Sequence, residues 1–137
     1  MSKIAVVFWS GTGNTESMAN AVAEGAKSKG AEVSILGPSE FTKNDVANYD
    51  AIAFGCPSMG AEVLEESEFQ PMWDDVCASL SGKKVVLFGS YGWGDGEWIR
   101  TWASEAGVDE ATCTYMCNET PGEDELKACQ DLGASIA

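Results

Sequence analysis

Between Phe8 and Ala19 the chain reads FWSGTGNTESMA: an apolar run ends, small and polar residues follow, and a helical pattern begins. Ser10, Thr12, Asn14 and Thr15 bring hydroxyl and amide donors, and Gly11 and Gly13 let the backbone approach a bound group closely. A helix amino terminus adds unpaired N–H groups and about half a positive charge. That combination suits an anion, above all a phosphate. An ordinary capped helix would need only Asn14 or Thr15 with the acids downstream. The unbroken run of small and polar residues exceeds that need.

The kind of phosphate can be narrowed by what the loop lacks. It has no lysine of the G-x-x-x-x-G-K-[ST] type, and Glu16 stands where a dinucleotide fingerprint asks for Gly or Ala. It also has no cysteine nucleophile for a phosphatase-like loop. What remains is retention of a phosphate that does not react, as in the tail of a cofactor.

Histidine is absent from the 137 residues, which removes Ser-His and Cys-His catalysis and histidine metal sites together. Cys56, Cys77, Cys113, Cys117 and Cys129 are odd in number and form no C-x-x-C, so neither a disulfide framework nor a zinc site is expected. Free thiols in a reducing compartment are. Twenty-two acidic against eight basic residues, a formal charge of -14, exclude a nucleic-acid surface. The same charge fits steering towards basic partners, and solubility alone accounts for it equally well. No run is long enough to span a membrane and no signal peptide is recognisable, so a cytoplasmic protein is expected.

The elements that must position the loop follow from periodicity. KIAVVFW (Lys3 to Trp9), AEVSIL (Ala31 to Leu36), DAIAFGC (Asp50 to Cys56), KVVLFGS (Lys84 to Ser90) and ATCTYMC (Ala111 to Cys117) read as strands. Helical faces lie between them. Met18, Ala19, Val22, Ala23 and Ala26 mark the first, which stops near Gly30, and Phe69, Met72, Trp73, Val76, Cys77 and Leu80 the second. Trp98, Ile99, Trp102, Ala103 and Ala106 line the third, and Leu126, Cys129, Gly133 and Ile136 the last. Regular alternation predicts one doubly wound α/β domain, residues 1–137, with a parallel sheet covered on both faces. Ligands bind such sheets at the carboxyl ends of the strands, which singles out the loops Ser10–Thr15, Pro57–Glu66, Tyr91–Glu97 and Asn118–Glu123.

SGTGNTE after the first strand, GCPSMGAE (Gly55 to Glu62) and FGSYGWGDGEW (Phe88 to Trp98) together resemble the flavodoxins, in order and spacing over essentially the whole chain. Without a long insertion before the fifth strand, the chain resembles the short-chain kind of anaerobic bacteria. The resemblance implies a five-stranded parallel sheet of order 2-1-3-4-5 and one noncovalent FMN. It also implies a low-potential one-electron carrier passing between oxidised, neutral semiquinone and anionic hydroquinone states. Carried over by position, Ser10, Thr12, Asn14 and Thr15 would hold the phosphate, with Gly11, Gly13 and Ser90 beside it. Ser58, Met59, Gly60, Ala61, Glu62, Tyr91, Gly92, Trp93 and Gly94 would surround the ring.

Trp93, between two glycines, offers a flat apolar ring for stacking, whereas Trp98 and Trp102, four apart on one helical face, are expected in the core. Met59 would cover the opposite face of the flavin; read alone, it fits equally a loop methionine tucked into the core. The resemblance implies that the peptide after Gly60 turns over on one-electron reduction, and that Glu62 accepts from flavin N3–H. Before reduction a type II turn would demand positive φ of Ala61, where relatives commonly carry Asp, Asn, Ser or Gly. That demand costs about 1–2 kcal/mol, so Ala61 is expected to raise the first potential by roughly 40–90 mV. A cis peptide would absorb the same strain. Glu65, Glu66, Glu68, Asp95 and Glu97 read singly as solvated surface acids. Together they would disfavour a second negative charge on the flavin and offer a rim to redox enzymes with basic docking surfaces.

Two other readings share the topology. A response-regulator receiver needs acids after the first and third strands, where this chain has Trp9-Ser10 and Cys56-Pro57. An FMN-dependent NAD(P)H:quinone reductase needs room above the flavin, which Trp93 would fill. The expectation is therefore a monomeric electron carrier rather than an enzyme, with no catalytic side chain and no metal.

Overall fold

The computed structural model describes residues 2–11, 13–59, 63–92, 94 and 96–137. The apolar runs form strands β1 (Lys3–Phe8), β2 (Glu32–Leu36), β3 (Ala51–Gly55), β4 (Lys84–Tyr91) and β5 (Thr114–Asn118). All pair in parallel, in the order β2-β1-β3-β4-β5. The strands with two neighbours are the buried ones, and the edges β2 and β5 carry mixed sequences, as a sheet covered on both faces requires.

Alternation along each strand divides the core in two. Ile4, Val6, Ala51, Ala53, Val86 and Phe88 point to helices α1 (Asn14–Lys27) and α5 (Glu123–Ser135). Ala5, Val7, Ile52, Phe54, Val85 and Leu87 point to α2 (Phe69–Val76) and α3 (Glu97–Ala106). On this second face Trp73 packs edge-on against Phe54 and Trp102, with centroids 5.2 and 5.7 Å apart. Trp98 and Trp102 are both core residues, as their helical spacing predicts. On the first face, α1 and α5 approach backbone to backbone. A Cβ at Gly25 would lie 1.8 Å from the Gln130 carbonyl oxygen, and one at Gly133 would lie 1.9 Å from that of Val22.

Two boundaries differ from the periodicity. Ala111 to Cys113, predicted as the start of the last strand, belong to a single helical turn, α4 (Glu110–Cys113). Asp109 caps it, accepting from the Ala111 N–H at 3.1 Å and the Thr112 hydroxyl at 3.0 Å, so a local side-chain bond overrides the alternating pattern. The helical stripe from Phe69 to Leu80 also breaks, because α2 tightens into a 3-10 turn at Cys77–Ser79.

Candidate functional site

Strand order places β1 beside β3 at the centre of the sheet, and the loops leaving their carboxyl ends diverge to opposite sides. Trp9 stays in register beyond β1, its N–H donating to the Gly55 carbonyl at 3.0 Å. The Ser10 hydroxyl accepts from the Gly13 N–H at 3.0 Å, closing the loop on itself. Gly13 then starts α1 with φ 94°, a left-handed conformation that glycine adopts without strain. The N-cap position falls on Gly13, which brings no side-chain cap, rather than on Asn14 or Thr15.

Thr15 instead turns inward. It and Ser90 are among the buried polar residues, with their hydroxyls 3.2 Å apart, and the Ser90 N–H lies 3.4 Å from Thr15 Oγ1. The first turn of α1 is thereby joined to the end of β4. The loop after β3 is tied to the same place, since the Ser58 N–H donates to the Ser90 carbonyl at 2.9 Å. Farther along that loop Met59 and Val63 pair antiparallel, exchanging N–H to carbonyl bonds of 2.9 and 3.0 Å.

These loops enclose a cavity of about 310 Å³ lined by Trp9, Gly11, Asn14, Pro57, Ser58, Met59, Ser90, Tyr91, Gly92 and Glu119. Of the candidates read from sequence, Gly11, Asn14, Ser58, Met59, Ser90, Tyr91 and Gly92 meet there, with Ser10, Gly13 and Thr15 shaping the loop beside it. Gly94 is exposed and outside the lining. Thr12, Gly60, Ala61, Glu62 and Trp93, and with them the expectations about the turn and the stacking ring, lie outside the described residues, as does Asp95.

Trp9, Pro57 and Glu119 were not singled out from the sequence. Glu119 lies in the loop after β5 that strand order singles out, but nothing in its type marks it. Its backbone is left-handed at φ 57°, held by its N–H donating to the Tyr91 carbonyl at 2.8 Å, which also accepts from Asn118 Nδ2 at 3.3 Å. A non-glycine residue in that region marks local strain beside the cavity.

Glu65, expected as a solvated acid of the rim, is buried. Its carboxylate accepts from the N–H groups of Ser67, Glu68 and Phe69 at 2.9, 2.7 and 2.9 Å, and from the Ser67 hydroxyl. Burial alone would raise its pKa, but the Ser67 hydroxyl and these three N–H groups together bring it down to about 2. It is the anchor of α2, not a surface charge. Beneath it, burial pushes the Cys56 thiol up to about 12. Cys56 therefore stays protonated, donating to the Pro57 carbonyl at 3.5 Å and accepting the Glu65 N–H at 3.3 Å. All five cysteines are free thiols, and Cys56, Cys117 and Cys129 are buried.

Chemically, the site joins a donor end and an apolar end. Hydroxyls and a glycine-started helix terminus fit a phosphate, and the side chains of Met59 and Tyr91 fit a planar ring, with the Trp9 indole lying against the loop at Gly11. The family model for flavodoxins matches residues 6–133. The chain is 44% identical to a flavodoxin of Megasphaera elsdenii over 98% of both chains. With one of Clostridium beijerinckii the identity is 42%, over 96% of this chain and 97% of the other. The solution structure of two-electron reduced Megasphaera elsdenii flavodoxin superposes with a TM-score of 0.86 at 41% identity, covering 96% of this chain and 98% of that one.

Proposed function

The chain belongs to the flavodoxin family of FMN-binding electron carriers, and on that premise we propose which of its residues hold the cofactor and how they serve the transfer. Residues 1–137 act as one cofactor-binding domain. The phosphate is held by Ser10, Thr12, Asn14 and Thr15 with the backbone of Gly11 and Gly13, and Ser90 completes the cradle from β4. Ser58, Met59, Gly60, Ala61, Glu62, Tyr91, Gly92, Trp93 and Gly94 surround the ring. The observation that carries this reading is the glycine-started α1, whose first turn opens on the cavity that Met59 and Tyr91 line.

Bound FMN supplies the redox chemistry, taking up and giving out electrons singly. The protein's own residues do the rest. The helix terminus and hydroxyls neutralise the phosphate by hydrogen bonding and by the helix dipole. Met59 and Tyr91 keep water from the ring, and in a drier site each nearby acid weighs more. Glu66, Glu68 and Glu119 are exposed on the loops after β3 and β5, and Glu97 is exposed at the start of α3. They direct the open edge towards redox enzymes with basic docking surfaces.

No helix among the described residues is long and apolar enough to cross a membrane. Free thiols fit a cytoplasmic monomer that diffuses between its partners. The test is an absorption spectrum of the purified protein during stepwise anaerobic reduction. A yellow protein that passes through a long-lived blue one-electron stage, and that NADH and NADPH leave unchanged, is the expected result. Direct bleaching by NADPH in a single step would instead make this chain a quinone-reductase type of enzyme. A colourless protein that takes up no added FMN would overturn the assignment of the site.

A further inference from the structure

Trp9 and Glu68 are 59 residues apart in sequence, yet the indole N–H of Trp9 donates to Glu68 Oε2 at 2.9 Å. Trp9 lies where β1 gives way to the phosphate loop and lines the cavity. Its backbone N–H is fixed on Gly55, and its ring lies against the loop it precedes. A Cβ at Gly11 would come within 3.1 Å of Trp9 Cη2 and 3.3 Å of Cζ3, so loop and indole are in contact.

Glu68 is anchored as firmly. It stands immediately before α2, and its N–H donates to the buried Glu65 carboxylate at 2.7 Å. One charge-assisted hydrogen bond therefore ties the loop after β1 to the loop after β3. These are the two halves of the mouth, the first holding the candidate phosphate residues and the second beginning with the candidate ring residues Ser58 and Met59 and ending at Glu68.

We propose that the Trp9–Glu68 pair is a strap that sets the two halves of the cofactor mouth before the cofactor arrives. This rests on reading the cavity as the FMN site. An indole free to change rotamer would have to be ordered, with Gly11 behind it, on every binding event. Holding it in advance removes that cost from association and slows escape. Glu68 is thus a positioning residue, acting through Trp9 and not by contact with the flavin.

The test uses FMN itself, with binding and release followed by tryptophan fluorescence quenching, on wild type and four variants. Glu68→Ala should release FMN about tenfold faster, the scale of one charge-assisted hydrogen bond. Glu68→Gln, which loses the charge and keeps an acceptor oxygen, should recover about half of that loss, releasing FMN roughly threefold faster than wild type. Trp9→Phe should match Glu68→Ala, and the double variant should be no worse than either single one. Wild-type release in Glu68→Ala would overturn the strap, as would a Gln variant as poor as Ala, or losses that add in the double variant. The apoprotein gives a second readout, the NMR signal of the Trp9 indole N–H, which Glu68→Ala should shift and Glu68→Gln should largely retain. If wild type binds no FMN the cofactor reading fails; an indole signal indifferent to Glu68 defeats the strap alone.

Discussion

At the scale of single residues, the informative side chains are polar ones that the fold has taken out of water. Thr15 and Ser90 meet 3.2 Å apart on the core side of the first turn of α1, where each buried hydroxyl must be answered by the other or by another partner. Thr15→Val keeps the shape and deletes the hydroxyl, leaving Ser90 without that partner. We expect the apoprotein to lose about 1–2 kcal/mol in urea unfolding, with FMN affinity falling as well, while Thr15→Ser loses little of either. An unfolding midpoint in Thr15→Val equal to wild type would show that the pair is not a structural one. Trp9 shows the same logic at the surface: its ring faces the cavity and its single polar atom is given to Glu68.

At the scale of elements, α2 owes its placement to a carboxylate upstream of its first turn. Glu65 gathers the N–H groups of Ser67, Glu68 and Phe69, and so closes the loop after β3 onto the start of the helix. Its pKa falls from 4.5 to about 2 on folding. The folded state therefore prefers the ionised form, and the stability this supplies is complete above pH 4.5. It shrinks as pH falls and is gone below about 2. Wild type should exceed Glu65→Gln by about 2–3 kcal/mol at neutral pH. Chemical denaturation at several pH values should find that gap closing between roughly pH 5 and pH 2. A gap independent of pH would mean that Glu65 acts by packing alone. The α1–α5 pair is positioned differently, by Gly25 and Gly133, where any side chain would enter the other helix's backbone.

At the scale of the whole molecule, the sheet order decides where the cavity lies and the net charge decides what approaches it. With a formal charge of -14, the protein repels anions and attracts cationic surfaces over about a Debye length. Electron delivery to a basic acceptor protein should slow by about tenfold or more as ionic strength rises from about 0.01 to about 0.15 M. Delivery to an uncharged small acceptor should hardly change, and stopped-flow reoxidation measures both. Equal salt dependence for the two acceptors would remove the acidic rim from the docking step.

Much of this was legible in the chain. Buried strands read as apolar runs, helical faces as a period of 3.6, and the candidate anion loop as glycines among donors, because each is written in residues near one another. The sequence by itself determined the α/β alternation and the core tryptophans Trp98 and Trp102, and it marked the loop from Ser10 to Thr15 as the candidate place for a phosphate. Only the tertiary structure decided which way the loop side chains face. It turned Glu65 inward, brought Glu119 to the cavity, joined Thr15 to Ser90 and Trp9 to Glu68, and folded Ala111 to Cys113 into a turn before β5. The reason is physical: an irregular segment has no period to betray its buried side. Its side chains go where distant N–H groups and hydroxyls satisfy them, and those partners are neighbours only after the sheet has formed.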